Sequence, residues 1–224
     1  MARALVLLAL GFVLNGSAAH GSAHRELTYA ALRFPSFGIV GTAETKSCGT
    51  ACSRSVSHLF VGSGRSWREI TPPRMLFELE DVQFASRMVG WVVENDCAQG
   101  KAYVDRTRDG GRSWDKAAVG STNCAAGSRL NISFADRRHG WLLDVYENGS
   151  GPYPLERTLD GGATWRPVGR VPIAGRIAFR TAREGWLSRA DFAQPQQLYA
   201  TMDSGRTWQR KVVPVPPGWA GAHL

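Results

Sequence analysis

One eight-residue pattern recurs without gaps along this chain: TRDGGRSW at Thr107–Trp114, TLDGGATW at Thr158–Trp165 and TMDSGRTW at Thr201–Trp208. A fourth copy, FVGSGRSW at Phe60–Trp67, keeps Gly64, Ser66 and Trp67 but has Gly62 in place of the Asp. The spacings between the Trp residues are 47, 51 and 43. A second pattern runs in phase with the first. VQFASRMVGW, ISFADRRHGW and IAFRTAREGW place Phe84, Phe134 and Phe179 seven residues before Trp91, Trp141 and Trp186. LRFPSFGIV at Leu32–Val40 is a shortened version, with Phe34 and Gly38 and no Trp. A fixed period of this length means stacked supersecondary units, each too small to bury its apolar face alone.

Each unit reads as four short strands. The first ends at the Phe, and the second starts at Gly-Trp. The third ends at the Thr of the Asp turn, and the fourth follows the turn. Turn chemistry between short strands indicates an all-β chain, and no segment sustains a 3.6-residue period. A four-stranded unit of this size is one blade of a β-propeller. The expectation is a single propeller domain over 27–216, with four blades at about 30–73, 80–120, 130–171 and 175–214 and a C-terminal tail at 217–224. Two arrangements fit four units, a compact ring or an arc completed by unrecognised strands or a second chain, and closure into a ring is the expectation, because an open arc would leave an exposed edge.

The turn itself has a physical logic. The carboxylates of Asp109, Asp160 and Asp203 can accept hydrogen bonds from backbone N–H groups further along the turn. Gly111, Gly162 and Gly205 suit a backbone at positive φ. Trp114, Trp165 and Trp208 then cover the hairpin with a large ring. These residues are read as structural. The element resembles the Asp-box, or BNR, repeat of the sialidase-like propellers. With the in-phase Phe and Gly-Trp element, it is most similar to the photosystem II stability/assembly factor-like and BNR-repeat proteins. The resemblance spans about 30–212. It implies a propeller and leaves activity open, since this fold hosts many functions.

Sialidases combine about six blades with an arginine cluster, a Tyr–Glu nucleophile pair and an acidic Asp. Here four units are recognisable, and Tyr146-Glu147 lies in a loop with no assignable partner. No catalytic residue is assigned, and the chain is read as a non-enzyme. The alternative is a sialidase-like carbohydrate-active enzyme or glycan-binding module. His20, His24, His58, His139 and His223 share no ligand spacing, so no metal or cofactor is expected.

The 224 residues carry 27 Lys+Arg against 19 Asp+Glu, a formal net charge of +8. Only Lys46, Lys101, Lys116 and Lys211 are lysines. In an antiparallel four-stranded unit the first and third connections lie at one end. That end gathers Arg65, Arg87, Arg108, Arg112, Arg137, Arg138, Arg180, Arg183 and Arg206, with His139, against Asp136 and Glu184. The other end is expected to carry Glu44, Glu94, Asp96, Glu147 and Asp191, with Lys46 and Arg129. The arginine end is the candidate binding face for an anionic segment of an envelope or secreted protein. Nucleic acid is not expected, since no aromatics are interleaved with these arginines.

Arg3, the apolar run Ala4–Leu14 and the small residues up to Ala23 match a signal peptide over 1–23. The chain is therefore expected to be secreted or periplasmic, with no membrane span after cleavage. Cys48, Cys52, Cys97 and Cys124 are an even set in an exported chain, which predicts disulfides of open connectivity. Asn131-Ile-Ser133 and Asn148-Gly-Ser150 are sequons, meaningful only outside bacteria.

Overall fold

The computed structural model describes residues 25–33, 37–49, 52–63, 66–73, 75, 78–96, 99–122, 127–146, 151–189 and 197–212. The expected signal segment, the 217–224 tail and Arg65 lie outside these residues.

Four antiparallel meanders follow one another along the chain. Sheet 1 holds β1 (Arg25–Arg33), β2 (Phe37–Gly49), β3 (Cys52–Ser63) and β4 (Ser66–Glu69). Sheet 2 holds β5 (Glu78–Phe84), β6 (Gly90–Asp96), β7 (Lys101–Thr107) and β8 (Asp115–Ser121). Sheet 3 holds β9 (Ser128–Phe134), β10 (Gly140–Tyr146), β11 (Tyr153–Thr158) and β12 (Arg166–Val171). Sheet 4 holds β13 (Arg176–Phe179), β14 (Gly185–Ser188), β15 (Leu198–Thr201) and β16 (Gln209–Lys211).

The Phe and Gly-Trp pattern is a cross-strand device. Phe84 faces Gly90, Phe134 faces Gly140 and Phe179 faces Gly185 in the register of the first two strands. A Cβ at Gly140 would stand 2.3 Å from the Phe134 ring. Glycine thus lets the ring lie across the neighbouring strand. The next residue points to the opposite face. Trp91 and Trp141 are fully buried there. They stack on the Phe of the following sheet, Trp91 on Phe134 and Trp141 on Phe179, each at 3.6 Å between ring centroids.

Three apolar cores result, one for each pair of consecutive sheets. Ile39, Leu59, Val82 and Phe84 fill the first, Trp91, Val104, Ile132 and Phe134 the second, and Trp141, Leu155, Phe179 and Leu187 the third. Polar side chains reinforce all three junctions, with Ser57 Oγ accepting from Leu79 N at 3.2 Å at the first. Asp81 Oδ2 accepts from Ile132 N at 2.9 Å, and Gln83 Oε1 from Phe134 N at 2.6 Å. One sheet further on, Asn131 Oδ1 accepts from Ile177 N at 3.1 Å and Ser133 Oγ from Phe179 N at 2.7 Å. Each first strand is an outer strand of its own sheet, so these bonds satisfy backbone groups that its own ladder leaves unpaired.

The expected propeller is corrected here. The chain is all-β with four antiparallel sheets, but the sheets form an open row. A ring of four needs four junctions, and three are present. Among the described residues no comparable packing joins β1–β4 to β13–β16, and no sheet is closed on itself. The physical reason lies in β13. At the places of Asp81 and Gln83, and of Asn131 and Ser133, it carries Arg176 and Ala178, both exposed. Neither side chain can accept a hydrogen bond from another strand. Trp186, the counterpart of the fully buried Trp91 and Trp141, is 38% exposed.

The disulfide expectation is corrected as well. The structure holds no disulfide among the described residues. Cys97 and Cys124 lie outside those residues, as do the side chains of Cys48 and Cys52. The last two are not loop residues. Cys48 is the last residue but one of β2 and Cys52 begins β3, and the register opposes Cys52 to Gly49 while an irregularity falls at Cys48.

Candidate functional site

The Asp turns are nearly identical in their bonding. In sheet 3, Thr158 Oγ1 donates to Asp160 Oδ1 at 2.8 Å and accepts from Gly162 N at 2.8 Å. Asp160 Oδ1 accepts from Ala163 N and Thr164 N, and Asp160 Oδ2 from the Thr164 hydroxyl at 2.6 Å. Asp109 holds Arg112 N, Ser113 N and the Ser113 hydroxyl in the same way. Asp203 holds Thr207 N and its hydroxyl. Gly162 sits at φ 94°, and Ser204 takes φ 69° where the other two turns have glycine.

This bonding keeps the three aspartates ionised. The Ser113 hydroxyl and N–H are the main cause for Asp109, whose pKa is lowered to about 2. For Asp160 and Asp203 partial desolvation pushes upward, but the Thr164 and Thr207 bonds outweigh it and the values again fall to about 2. A carboxylate so occupied is an anchor for backbone, with no proton to give at neutral pH.

The loops between first and second strands are built to match. Ser86 Oγ accepts from Met88 N and Val89 N. Asp136 Oδ1 accepts from Arg138 N and His139 N, and Thr181 Oγ1 from Arg183 N and Glu184 N. In each of these sheets one backbone bond joins the loop to the Asp turn. Gly110 N donates to Met88 O, Gly161 N to Arg138 O and Ser204 N to Arg183 O, all at 2.9 Å. Further donors sew each turn end to the sheet before it. Arg68 reaches Gly110 O at 2.6 Å, Arg106 reaches Asp160 O at 3.1 Å, and Arg157 reaches Ala182 O at 3.3 Å. Trp91 Nε1 donates to Gly161 O at 2.8 Å, and Trp141 Nε1 to Ser204 O at 2.9 Å. The loop ends of sheets 2, 3 and 4 therefore form one fixed rim.

Arg87, Arg108, Arg112, Arg137, Arg138, Arg180, Arg183 and Arg206 are all exposed on this rim. They are not equivalent. Arg112 folds back onto Asp109 O at 2.9 Å, and Arg206 onto Asp203 O at 3.3 Å. Arg138 reaches Leu159 O, and Arg180 pairs with Glu184. Arg87 lies over the Phe37 ring. Arg108, Arg137 and Arg183 make no side-chain hydrogen bond or ion pair among the described residues. Asp136 is engaged by His139 Nδ1 at 2.7 Å. Its desolvation is outweighed by that bond and by backbone donors, so its pKa is lowered.

Sequence reasoning missed the apolar members of this rim. Met88, Leu159 and Met202 are 46%, 54% and 63% exposed. Leu159 and Met202 occupy the variable place between Thr and Asp, where Arg108 stands in sheet 2, and that position was the available signal. The expected acidic opposite end is not assembled as written. Glu44 and Lys46 lie within β2, Arg129 lies within β9, and Glu94 and Asp96 lie buried within β6. Glu147 and Asp191 lie outside the described residues. Lys116 Nζ stands 2.7 Å from Glu94 Oε1 and 3.3 Å from Asp105 Oδ2. Burial and the facing Asp105 carboxyl raise the Glu94 pKa against the pull of Lys116. No group of three His, Cys, Asp or Glu suited to a metal occurs among the described residues. No helix among them is long and apolar enough to cross a membrane.

No protein-family model matches the chain, and no curated protein matches it. Solved structures do. NanB sialidase from Streptococcus pneumoniae, in complex with 2-[(3-chlorobenzyl)ammonio]ethanesulfonate, aligns at 13% identity and TM-score 0.52 over 72% of this chain and 29% of that one. An Aleuria aurantia lectin AAL mutant in complex with Fucalpha1-6GlcNAc aligns at 15% identity and TM-score 0.51, over 81% of this chain and 60% of that one. YCF48 bound to D1 peptide aligns at 25% identity and TM-score 0.45, over 62% of this chain and 40% of that one. The chain spans less than two thirds of each of these proteins. The sialidase and lectin likenesses show the fold alone.

Proposed function

We propose that this chain is an exported, non-catalytic binding module whose cationic rim captures an anionic segment of an envelope or secreted protein. One observation carries the reading. Arg108, Arg137 and Arg183 stand exposed, one on each of three consecutive sheets, with guanidinium groups unengaged among the described residues. Their backbones are held by the bonds between loop and turn. A planar guanidinium binds a carboxylate through two parallel N–H bonds, and a rigid mount lowers the ordering cost of binding. The Asp-turn carboxylates support the non-catalytic part, since their oxygens are committed to the turns.

Affinity capture from the native envelope fraction tests the proposal, comparing the parent with an Arg108→Glu, Arg137→Glu, Arg183→Glu variant. Retained melting temperature with lost capture supports it, and equal capture by both sinks the rim. A fluorogenic sialoside tests the non-catalytic part. Turnover that disappears on changing Glu147 to Gln would overturn it.

A further inference from the structure

Sheets 2, 3 and 4 each bring two neighbouring positions to the rim, one in the loop between the first two strands and one in the Asp turn. Met88, Arg138 and Arg183 hold the loop position, and their carbonyls accept the bond from the turn. Arg108, Leu159 and Met202 hold the turn position, between Thr and Asp. Every sheet therefore pairs one arginine with one apolar side chain: Arg108 with Met88, Arg138 with Leu159 and Arg183 with Met202. In sheet 2 the cation stands in the turn, and in sheets 3 and 4 it stands in the loop, so the places are exchanged but the pairing is kept. All six residues are exposed. A single exposed Leu or Met is ordinary. Three of them, at matched places on consecutive sheets and each beside a cation, make a composite surface. Purely ionic capture has no use for the apolar half.

We propose that the rim binds an extended protein segment in which acidic and apolar residues recur together. Each acidic residue meets an arginine, and each apolar one meets Met88, Leu159 or Met202. The proposal rests on the reading of the cationic rim and narrows its partner from any anionic segment to one of mixed chemistry. Packed sheets stand about 10 Å apart, and an extended chain advances about 3.3 Å per residue. The segment should thus present one acidic and one apolar residue in about every three. The carboxylates of the rim do not oppose it strongly, because each has a partner. Asp136 is engaged by His139 and Glu184 by Arg180, and the turn aspartates hold backbone. Met88 and Met202 suit such a surface, since an unbranched thioether adapts to the shape it meets. A bilayer fits less well. The exposed apolar residues that sheets 2 to 4 bring to the rim are Met and Leu, without the Trp and Tyr that a membrane interface favours.

Fluorescence anisotropy on the full chain tests it, with two labelled dodecapeptides. One repeats Glu-Leu-Ser and the other repeats Glu-Ser-Ser, so both carry the same charge. The first should bind at least about tenfold tighter, through burial of its leucines. A Met88→Gln, Leu159→Gln, Met202→Gln variant, folded by circular dichroism, should bind the first peptide no better than the second. The Arg108→Glu, Arg137→Glu, Arg183→Glu variant should lose both. Equal binding of the two peptides by the parent overturns this proposal and leaves the cationic rim standing. So does a preference that survives in the glutamine variant. Binding of neither peptide, even at millimolar concentration, overturns this proposal together with the rim. Sedimentation with vesicles of phosphatidylserine and phosphatidylcholine provides the other arm. Vesicle binding that the glutamine variant loses, without any preference between the peptides, would assign the apolar residues to a bilayer and overturn the proposal.

Discussion

Asp144 and Asp160 show how far position alone can separate two aspartates. Asp160 is ringed by donors and held at about 2. Asp144 is buried in β10, and its pKa rises to about 6. Burial is the main cause, and the Ser128 and Tyr146 hydroxyls only partly offset it. Among the described residues its Oδ2 has no donor at hydrogen-bond distance. The folded state thus holds a proton that the unfolded chain releases near 3.8. The stability this aspartate allows is full below that value and falls as pH rises through about 6. Asp144→Asn removes the penalty. The variant's melting temperature should gain on the parent between pH 4 and pH 7, by the equivalent of about 1–3 kcal/mol. A difference that is flat or shrinking across that range in calorimetry would refute the assignment. None of this was legible in the sequence, where both residues are simply aspartates near a strand end. Asn131 makes the same point. It reads as a sequon, yet it is buried and its side chain bonds to Ile177 N and Gly175 O across a junction.

At the scale of the element, the sequence was far more explicit. Strands β5, β9 and β13 end at the repeated Phe, and β6, β10 and β14 begin at the repeated Gly. Strands β7, β11 and β15 end at the Thr that opens each Asp turn. Those ends are written locally, in turn chemistry and in one close ring-on-glycine contact, so periodic motifs reveal them. What the motif cannot say is whether its Trp meets a neighbour. Trp91 and Trp186 hold the same place in their strands, yet only Trp91 donates to a buried carbonyl, Gly161 O. Trp91→Phe should therefore cost about 2–4 kcal/mol, from the lost bond, the unsatisfied carbonyl and the cavity. Trp186→Phe in dilute protein should stay within about 0.5 kcal/mol of the parent. Urea denaturation of both variants decides this. Equal losses would mean that the face of sheet 4 is covered within one chain.

For the whole molecule, order and number of sheets could be read from the repeat, but their arrangement could not. Closure depends on whether the last unit grips the first, and that rests on single side chains such as Arg176 and Ala178 within an otherwise faithful copy. An open row has a thermodynamic consequence. Sheets 2 and 3 are covered on both faces by apolar cores, while sheets 1 and 4 each contribute to one. In a row of units that contact only their neighbours, stability is close to a sum of unit and junction terms. A terminal sheet is then released by breaking one junction, and an internal sheet only by breaking two. Amide exchange followed by mass spectrometry in dilute solution should find the slowest protons in β6 and β10. Protons of β2 and β14 should exchange at least about tenfold faster, since local opening follows the junctions that must break. Uniform protection in all four sheets of the monomer would require a fourth junction, and the row would have to be closed after all.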